Sequence, residues 1–437
     1  MLLRFVVENI ASFKDATEFN MFPSSKSQSH NNHKIKCGHA TVLRMSALYG
    51  ANGAGKSNLV NALTLLQKMV EEESLEKIEM IDVAFMLDNE YKERPSGLAI
   101  EFFNKKVYYY HIEFFGGKII TEELYVSHKN SDAMLFSRSG SNLSINATFE
   151  GKKINEQFKD ALSRLVRPDM LLLSFLGNHY SDESPIITDA YQWITNKLQM
   201  VNPYSKFTKL PHLLDTDSKL RSLVGTVLPE LKTGISNLGI RKSILKEDHI
   251  KDDELLKVLK RAKDNPNVLI TIPINGEIAN VINENGKIVL KQLVAIHKNL
   301  NGTVVPFQLF NESDGTRRLI EYMPLLYDVI YKGKIYVVDE IERSLHPIMI
   351  KDIISKISES EKAKGQLIFT THESCLLDQN IFRPDEIWFA QKDVEQATQL
   401  YPLSDFNIHK TANIENGYLN GRYGGVPFLS NLKDLNW

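Results

Sequence analysis

Gly50-Ala51-Asn52-Gly53-Ala54-Gly55-Lys56-Ser57 constrains this chain more than any other stretch. It follows a β-rich run at residues 41–49 (TVLRMSALY) and opens an apolar segment with Leu59, Leu63, Leu66 and Val70 at helical spacing. Glycines let so tight a turn wrap backbone N–H groups around one centre, at which the helix also aims its positive dipole end. Such a cradle holds nucleotide phosphates, with Lys56 expected at the β/γ-phosphates and Ser57 on a Mg²⁺ ion.

Two further strand ends carry chemistry. Lys334-Ile335-Tyr336-Val337-Val338-Asp339-Glu340 is a short apolar strand closing on two carboxylates, where an open α/β sheet places ligand groups. Asp339 is expected in the Mg²⁺ shell, and Glu340 as the base that orients and deprotonates the attacking water. The plainer alternative is a strand-end helix cap. Gln366-Leu367-Ile368-Phe369-Thr370-Thr371-His372 ends the same way, offering His372 as a γ-phosphate hydrogen-bonding sensor or as a structural strand-end histidine. Ahead of Asp339, Glu312-Ser313-Asp314-Gly315-Thr316-Arg317-Arg318 opens an amphipathic helix. A Ser-x-Gly there suits anion binding, while Ser313 alone also suits a helix cap.

In this order the motifs resemble the ABC-type AAA ATPases found with bacterial defence systems, the RloA and abortive-infection group, nearly end to end. The resemblance rests also on Asn9-Ile10-Ala11-Ser12-Phe13, on Tyr49 leading into the glycine loop, on Asp339-Glu340-Ile341-Glu342-Arg343-Ser344-Leu345-His346-Pro347, and on the closing Gly421-Arg422-Tyr423-Gly424-Gly425-Val426-Pro427-Phe428-Leu429. In the broader class, with the Rad50, SMC, RecF and OLD-type heads, two heads meet head-to-tail and each nucleotide lies between one phosphate loop and the partner's signature. The resemblance therefore implies ATP and Mg²⁺ as ligands and a homodimer or higher homo-oligomer. The nucleotide contacts would be Asn52, Gly53, Ala54, Gly55, Lys56, Ser57 and Asn58, with Ser313 and Gly315 from another subunit. Lys56, Glu340 and His372 would be catalytic. Asp314 and Thr316 depart from the usual signature, and no glutamine can be placed as a Q-loop.

The implied fold is an α/β ABC-type P-loop ATPase head, two-lobed, with a mixed sheet plus an antiparallel meander and a helical insertion. The expected parts are an N-terminal lobe over 1–140, a helical insertion over 141–265 and a C-terminal lobe over 266–437. The meander is read from alternating β-rich runs between residues 97 and 139, the insertion from segments such as NEQFKDALSRLV and DDELLKVLKRAK. No repeat or sustained heptad pattern is present.

Composition narrows the partners. The 437 residues are 43% hydrophobic and carry a formal charge of -2, so any DNA contact must be a local patch. No stretch approaches a membrane span, and two distant cysteines, Cys37 and Cys375, fit a reducing, cytoplasmic home. His30, His33, Cys37 and His39 would suffice for zinc in number, but their spacing fits no standard module and a solvated loop is expected. Asp215-Thr216-Asp217 is expected to be a turn rather than a nuclease metal site, and Arg241 to Lys263 a solvated helix face rather than a phosphate-binding one.

The leading expectation is an ATPase sensor and switch in an anti-phage, abortive-infection system, controlling a separately encoded effector nuclease or toxin, since the chain ends soon after Phe428. The alternative is a DNA-repair or DNA-processing ATPase of the Rad50 or RecF kind, which predicts salt-sensitive DNA binding. A nucleotide-gated scaffold that seldom turns over is a third reading. A transporter subunit is disfavoured by the long interval between Ser57 and Ser313.

Overall fold

The computed structural model describes residues 1–78, 83–149, 151–153, 155–247, 252–409 and 412–426. Pro427, Phe428 and Leu429 of the closing motif, and 248–251 within the basic segment, lie outside them. The chain divides into two compact units, one of Met1–Pro203, Val329–Glu342 and Lys351–Trp437, the other of Tyr204–Asp328 and Arg343–Ile350.

Among the described residues the first unit is built on two large sheets, with two small two-stranded ones beside them. The 97–139 meander forms four antiparallel strands, Ser96–Asn104, Lys106–Phe115, Lys118–Ser127 and Asp132–Ser139, continued at one edge by Asn142–Ile145 and at the other by Leu2–Glu8 and Thr17–Asn20. Gly116 and Gly117, at φ 56° and 74°, make the tight hairpin turn that matches strand twist. The second sheet runs Leu198–Val201, Ile335–Val338, Gln366–Thr370, Met45–Tyr49, Ile387–Lys392, Thr398–Pro402, with every pairing parallel except the last. Every residue of its three central strands, Met45–Tyr49, Ile335–Val338 and Gln366–Thr370, is buried and most are apolar, as strands covered on both faces require.

The helix Lys56–Glu72 packs into this unit's core through Leu59, Val60, Leu63, Leu66 and Val70, in one apolar cluster with Leu2 and Phe5 of the antiparallel sheet and Val337 and Ile368 of the parallel one. Gln366, fully buried, joins the sheets. Its amide accepts from Leu2 N at 2.7 Å and donates to Leu2 O at 3.0 Å and Leu43 O at 2.7 Å.

The second unit has its own antiparallel sheet, Asn237–Ile244, Lys287–Lys298, Glu277–Glu284, Ile270–Ile274, with Val304–Gln308 also paired to Lys287–Lys298. The helix Asp253–Asp264 covers it through Leu259 and Ala262, packed on Ile270, Val281 and Leu290. Its opposite face is exposed and polar, but only Asp253–Lys263 of the Arg241 to Lys263 segment is in this helix: Arg241–Ile244 lie in the strand Asn237–Ile244, which corrects the expectation of one helix face there. Asp314–Tyr327 is the helix expected after Ser313.

Residues 141–265, expected as one helical insertion, are distributed between the units. The helices Glu156–Leu165, Leu172–His179 and Pro185–Gln192 lie in the first, and Leu210–Thr216, Ser218–Glu230 and Asp253–Asp264 in the second. The segment also holds strands, among them Leu198–Val201, which extends the parallel sheet beside Ile335–Val338. Four residues cannot display a period, and helical neighbours hide so short an edge strand.

Candidate functional site

Three parallel strands deliver the predicted motifs to one edge of the sheet. Met45–Tyr49 runs into Gly50, Ile335–Val338 into Asp339, and Gln366–Thr370 into Thr371 and His372, so all three C-terminal ends open on the same side. The glycine loop is shaped by its neighbours. Gly50 sits at φ 155°, where a Cβ would strike Ala390 O, and Gly55 at φ 102°, where a Cβ would fall on Thr398 Oγ1. Gly53, at φ 79° with open space around it, needs glycine for its backbone alone. Asn52 and Gly53 are exposed at the loop tip; Ala54 and Gly55 are buried at its base.

Lys56 begins the 17-residue helix and is buried. Its Nζ donates to Gly50 O at 2.6 Å and Ala51 O at 3.1 Å, folding the ammonium back over the loop. Burial lowers its pKa to about 8, against the opposing pull of Asp339, Glu342 and Glu340. Next in sequence, Ser57 Oγ donates to Asp339 Oδ1 at 3.1 Å, a contact between residues 282 positions apart. Asp339 is buried, and its backbone N–H reaches Val201 O at 2.8 Å, so the short strand at 198–201 helps seat the carboxylate.

Thr370, absent from the predicted site, joins both carboxylate positions. Its Oγ1 donates to Asp339 Oδ1 at 2.6 Å and accepts the Glu340 N–H at 2.8 Å. Glu340 is thereby held at φ 50°, a left-handed backbone that a non-glycine residue adopts only when its surroundings impose it. His372 is exposed on the following turn, and its backbone N–H donates to Glu342 Oε1 at 2.8 Å. Desolvation of its ring and the nearby Lys56 push its pKa below the ordinary histidine value, although Glu342, Glu340 and Asp339 oppose this.

Asn58, expected among the nucleotide contacts, donates through Nδ2 to Ser12 Oγ at 2.8 Å. Thr398 completes this brace: its Oγ1 lies 2.7 Å from Ser12 Oγ and 2.9 Å from Ala54 O. The Asn9–Phe13 stretch therefore supports the loop from behind. Asn9 itself, buried at φ 49°, donates to Tyr91 O at 2.8 Å and accepts Phe85 N at 3.0 Å.

Ser313 and Gly315 belong to the second unit. Ser313 caps the Asp314–Tyr327 helix by accepting Thr316 N at 3.1 Å, so the capping alternative describes a contact that exists. A Cβ on Gly315 would lie 2.7 Å from Ser344 O, so this position excludes larger side chains on packing grounds.

The residues fit the expected ligands. A helix N-terminus, left-handed glycines and a buried lysine whose nearest partners are carbonyls suit polyphosphate. A hydroxyl touching a carboxylate supplies two hard oxygen donors of the kind Mg²⁺ takes alongside water and phosphate.

The histidine-rich stretch lies away from this strand edge, and the Asp215–Asp217 pair belongs to the second unit. His33, expected in a solvated loop, is fully buried, with Nδ1 2.8 Å from Glu386 Oε1 and Nε2 3.0 Å from Ser358 O. Cys37 is buried too, in the strand Lys34–Cys37, while His39 is exposed. The loop expectation is corrected here because Glu386, distant in sequence, gives His33 a buried partner. Asp215 pairs with Lys291 at 2.6 Å and Lys242 at 2.7 Å, and Asp217 caps the helix Ser218–Glu230. Among the described residues no cluster of three or more His, Cys, Asp or Glu could hold a metal, and no helix is long and apolar enough to cross a membrane.

Comparison with known proteins adds the family. Among curated proteins none matches. Solved structures similar to this chain include the SMC head domain from Thermotoga maritima, at 11% identity over 93% of this chain and 99% of that one with a TM-score of 0.41. Another is an SMC head bound to the C-winged helix domain of ScpA, at 12% identity over 92% and 97% with a TM-score of 0.42. A third is an SMC head with an extended coiled coil bound to the C-terminal domain of ScpA derived from Pyrococcus furiosus, at 14% over 92% and 96% with a TM-score of 0.39. A family model described as an AAA domain, putative AbiEii toxin, type IV toxin–antitoxin system, matches residues 45–378, a span that takes in the glycine loop, Ser313, Asp339, Glu340 and His372. The chain belongs to this AAA-domain family.

Proposed function

We propose that the chain is an ATP-binding and hydrolysing switch of the ABC type, working in a bacterial abortive-infection system and controlling a separately encoded effector. The observation that carries the ATPase part is the 3.1 Å contact of Ser57 with Asp339 at the end of a glycine-braced loop. Bound Mg²⁺ would be held by Ser57 and Asp339 and would offset charge on the phosphates. The loop N–H groups and Lys56 orient the β/γ-phosphates, Glu340 takes the proton of the attacking water, and His372 hydrogen-bonds the γ-phosphate. The defence setting is supported by the family's description, which names toxin–antitoxin systems. The resemblance to the RloA and abortive-infection ATPases points the same way.

The chain carries one phosphate loop and one Ser-x-Gly helix start. A closed pair of copies, each offering Ser313 and Gly315 to the other's loop, makes two equivalent sites. ATP turnover by the wild type and by Glu340→Gln tests the chemistry. Turnover should fall at least ~100-fold with ATP still bound, in line with the loss of a general base. Equal rates remove Glu340 as the base. Tight, salt-sensitive DNA binding would favour the repair alternative.

A further inference from the structure

Glu342 is a third carboxylate beside the site, and the proposed chemistry does not use it. It follows the Asp339-Glu340 pair by two residues, and its Oε1 accepts the backbone N–H of His372 at 2.8 Å. Its Oε2 is buried and has no hydrogen-bond partner. A buried carboxylate oxygen without a partner costs on the order of 1–3 kcal/mol or more. Such a group calls for an explanation beyond packing, and its other oxygen supplies one.

What Oε1 touches carries that explanation. His372 lies two residues beyond the Gln366–Thr370 strand, on an exposed turn, and backbone freedom there would let the imidazole wander. Thr370 ties the two strand ends together from one side, through Asp339 Oδ1 and the Glu340 N–H. Ile341 N adds a backbone bond to Thr370 O at 3.1 Å. Glu342 makes the next link outward, holding the main chain at His372, the residue proposed above to meet the γ-phosphate. The two strand ends thus form a ladder whose outermost rung is a side-chain carboxylate.

We infer that Glu342 is a positioning residue, fixing the His372 turn against the Asp339-Glu340 strand end so that the imidazole is held at the γ-phosphate. This rests on the ATPase reading above. An anchor of this kind acts on turnover rather than on nucleotide affinity, because the phosphate loop and Lys56 remain intact. Its charge also favours the protonated form of Lys56, so the comparison is made at pH 7, where that lysine is charged and the effect left to Glu342 runs through His372.

The experiment is a double-mutant cycle on the full-length chain, with ATP turnover and ATP affinity both measured. Glu342→Ala should lower kcat by ~10-fold or more and leave the ATP dissociation constant within about twofold. Glu342→Gln keeps an oxygen that can accept the His372 N–H and should recover most of the loss. In a His372→Ala background, Glu342→Ala should cost little further. Full kcat in Glu342→Ala, or an undiminished loss on top of His372→Ala, overturns the inference. Glu342→Gln provides the same comparison should the alanine variant unfold. A wild type that binds no ATP or never turns it over refutes the ATPase reading instead, and is seen before any variant is made.

Discussion

At the scale of single residues, Lys56 has burial working against its charge and three carboxylates working for it, with burial prevailing and the pKa near 8. Bound polyphosphate adds negative charge beside the ammonium and raises that pKa, so nucleotide binding above pH 8 must take up a proton. Below pH 8 the lysine is already charged and affinity is flat. Above it, affinity should fall by up to about tenfold per pH unit until the pKa of the complex is reached. Isothermal titration with ATP between pH 7 and 9.5 reads the slope directly. Lys56→Arg, charged throughout this range, should abolish it while binding more weakly overall. A wild-type affinity independent of pH to 9.5 would mean that Lys56 does not meet the phosphates.

Between elements, the joints are made by polar side chains that sequence patterns do not reveal. Gln366 is the clearest, since one buried amide satisfies Leu2 N, Leu2 O and Leu43 O between the two sheets. Gln366→Leu fills the same space and strands these groups. A loss of about 3 kcal/mol or more is expected from the usual cost of buried unpaired polar groups, read as an earlier urea transition. An unshifted transition would mean that other bonds hold the Leu2–Glu8 strand in place. The glycine loop, the Asp339-Glu340 strand and the meander are legible in sequence because each is local: a turn, an apolar run, an alternation. Thr370, Ser12 and Thr398 are not, because their meaning lies in partners up to 386 residues away. His33 fails for the same reason, its burial being set by Glu386. Asn58 follows the loop in sequence, yet its amide reaches Ser12.

For the whole molecule, the question is whether one chain is a complete machine. Its formal charge of -2 provides no long-range field to steer assembly, so association must come from local complementarity and from the nucleotide itself. If Ser313 and Gly315 serve another copy's phosphate loop, two defects on different chains can be separated. Ser313→Arg spoils what a chain offers its partner, and Lys56→Ala spoils what it holds for itself. Each variant alone should be inactive. Mixed in equal amounts, half the pairs carry both kinds of chain, and each such pair retains one intact interface, formed by Lys56 of the first and Ser313 of the second. Turnover should therefore return to about a quarter of the wild-type rate if subunits exchange freely and sites act independently. If the mixture stays inactive although light scattering shows paired chains in ATP, the head-to-tail arrangement is wrong. Ser313 then does only what its contact with Thr316 N already does, which is to cap a helix.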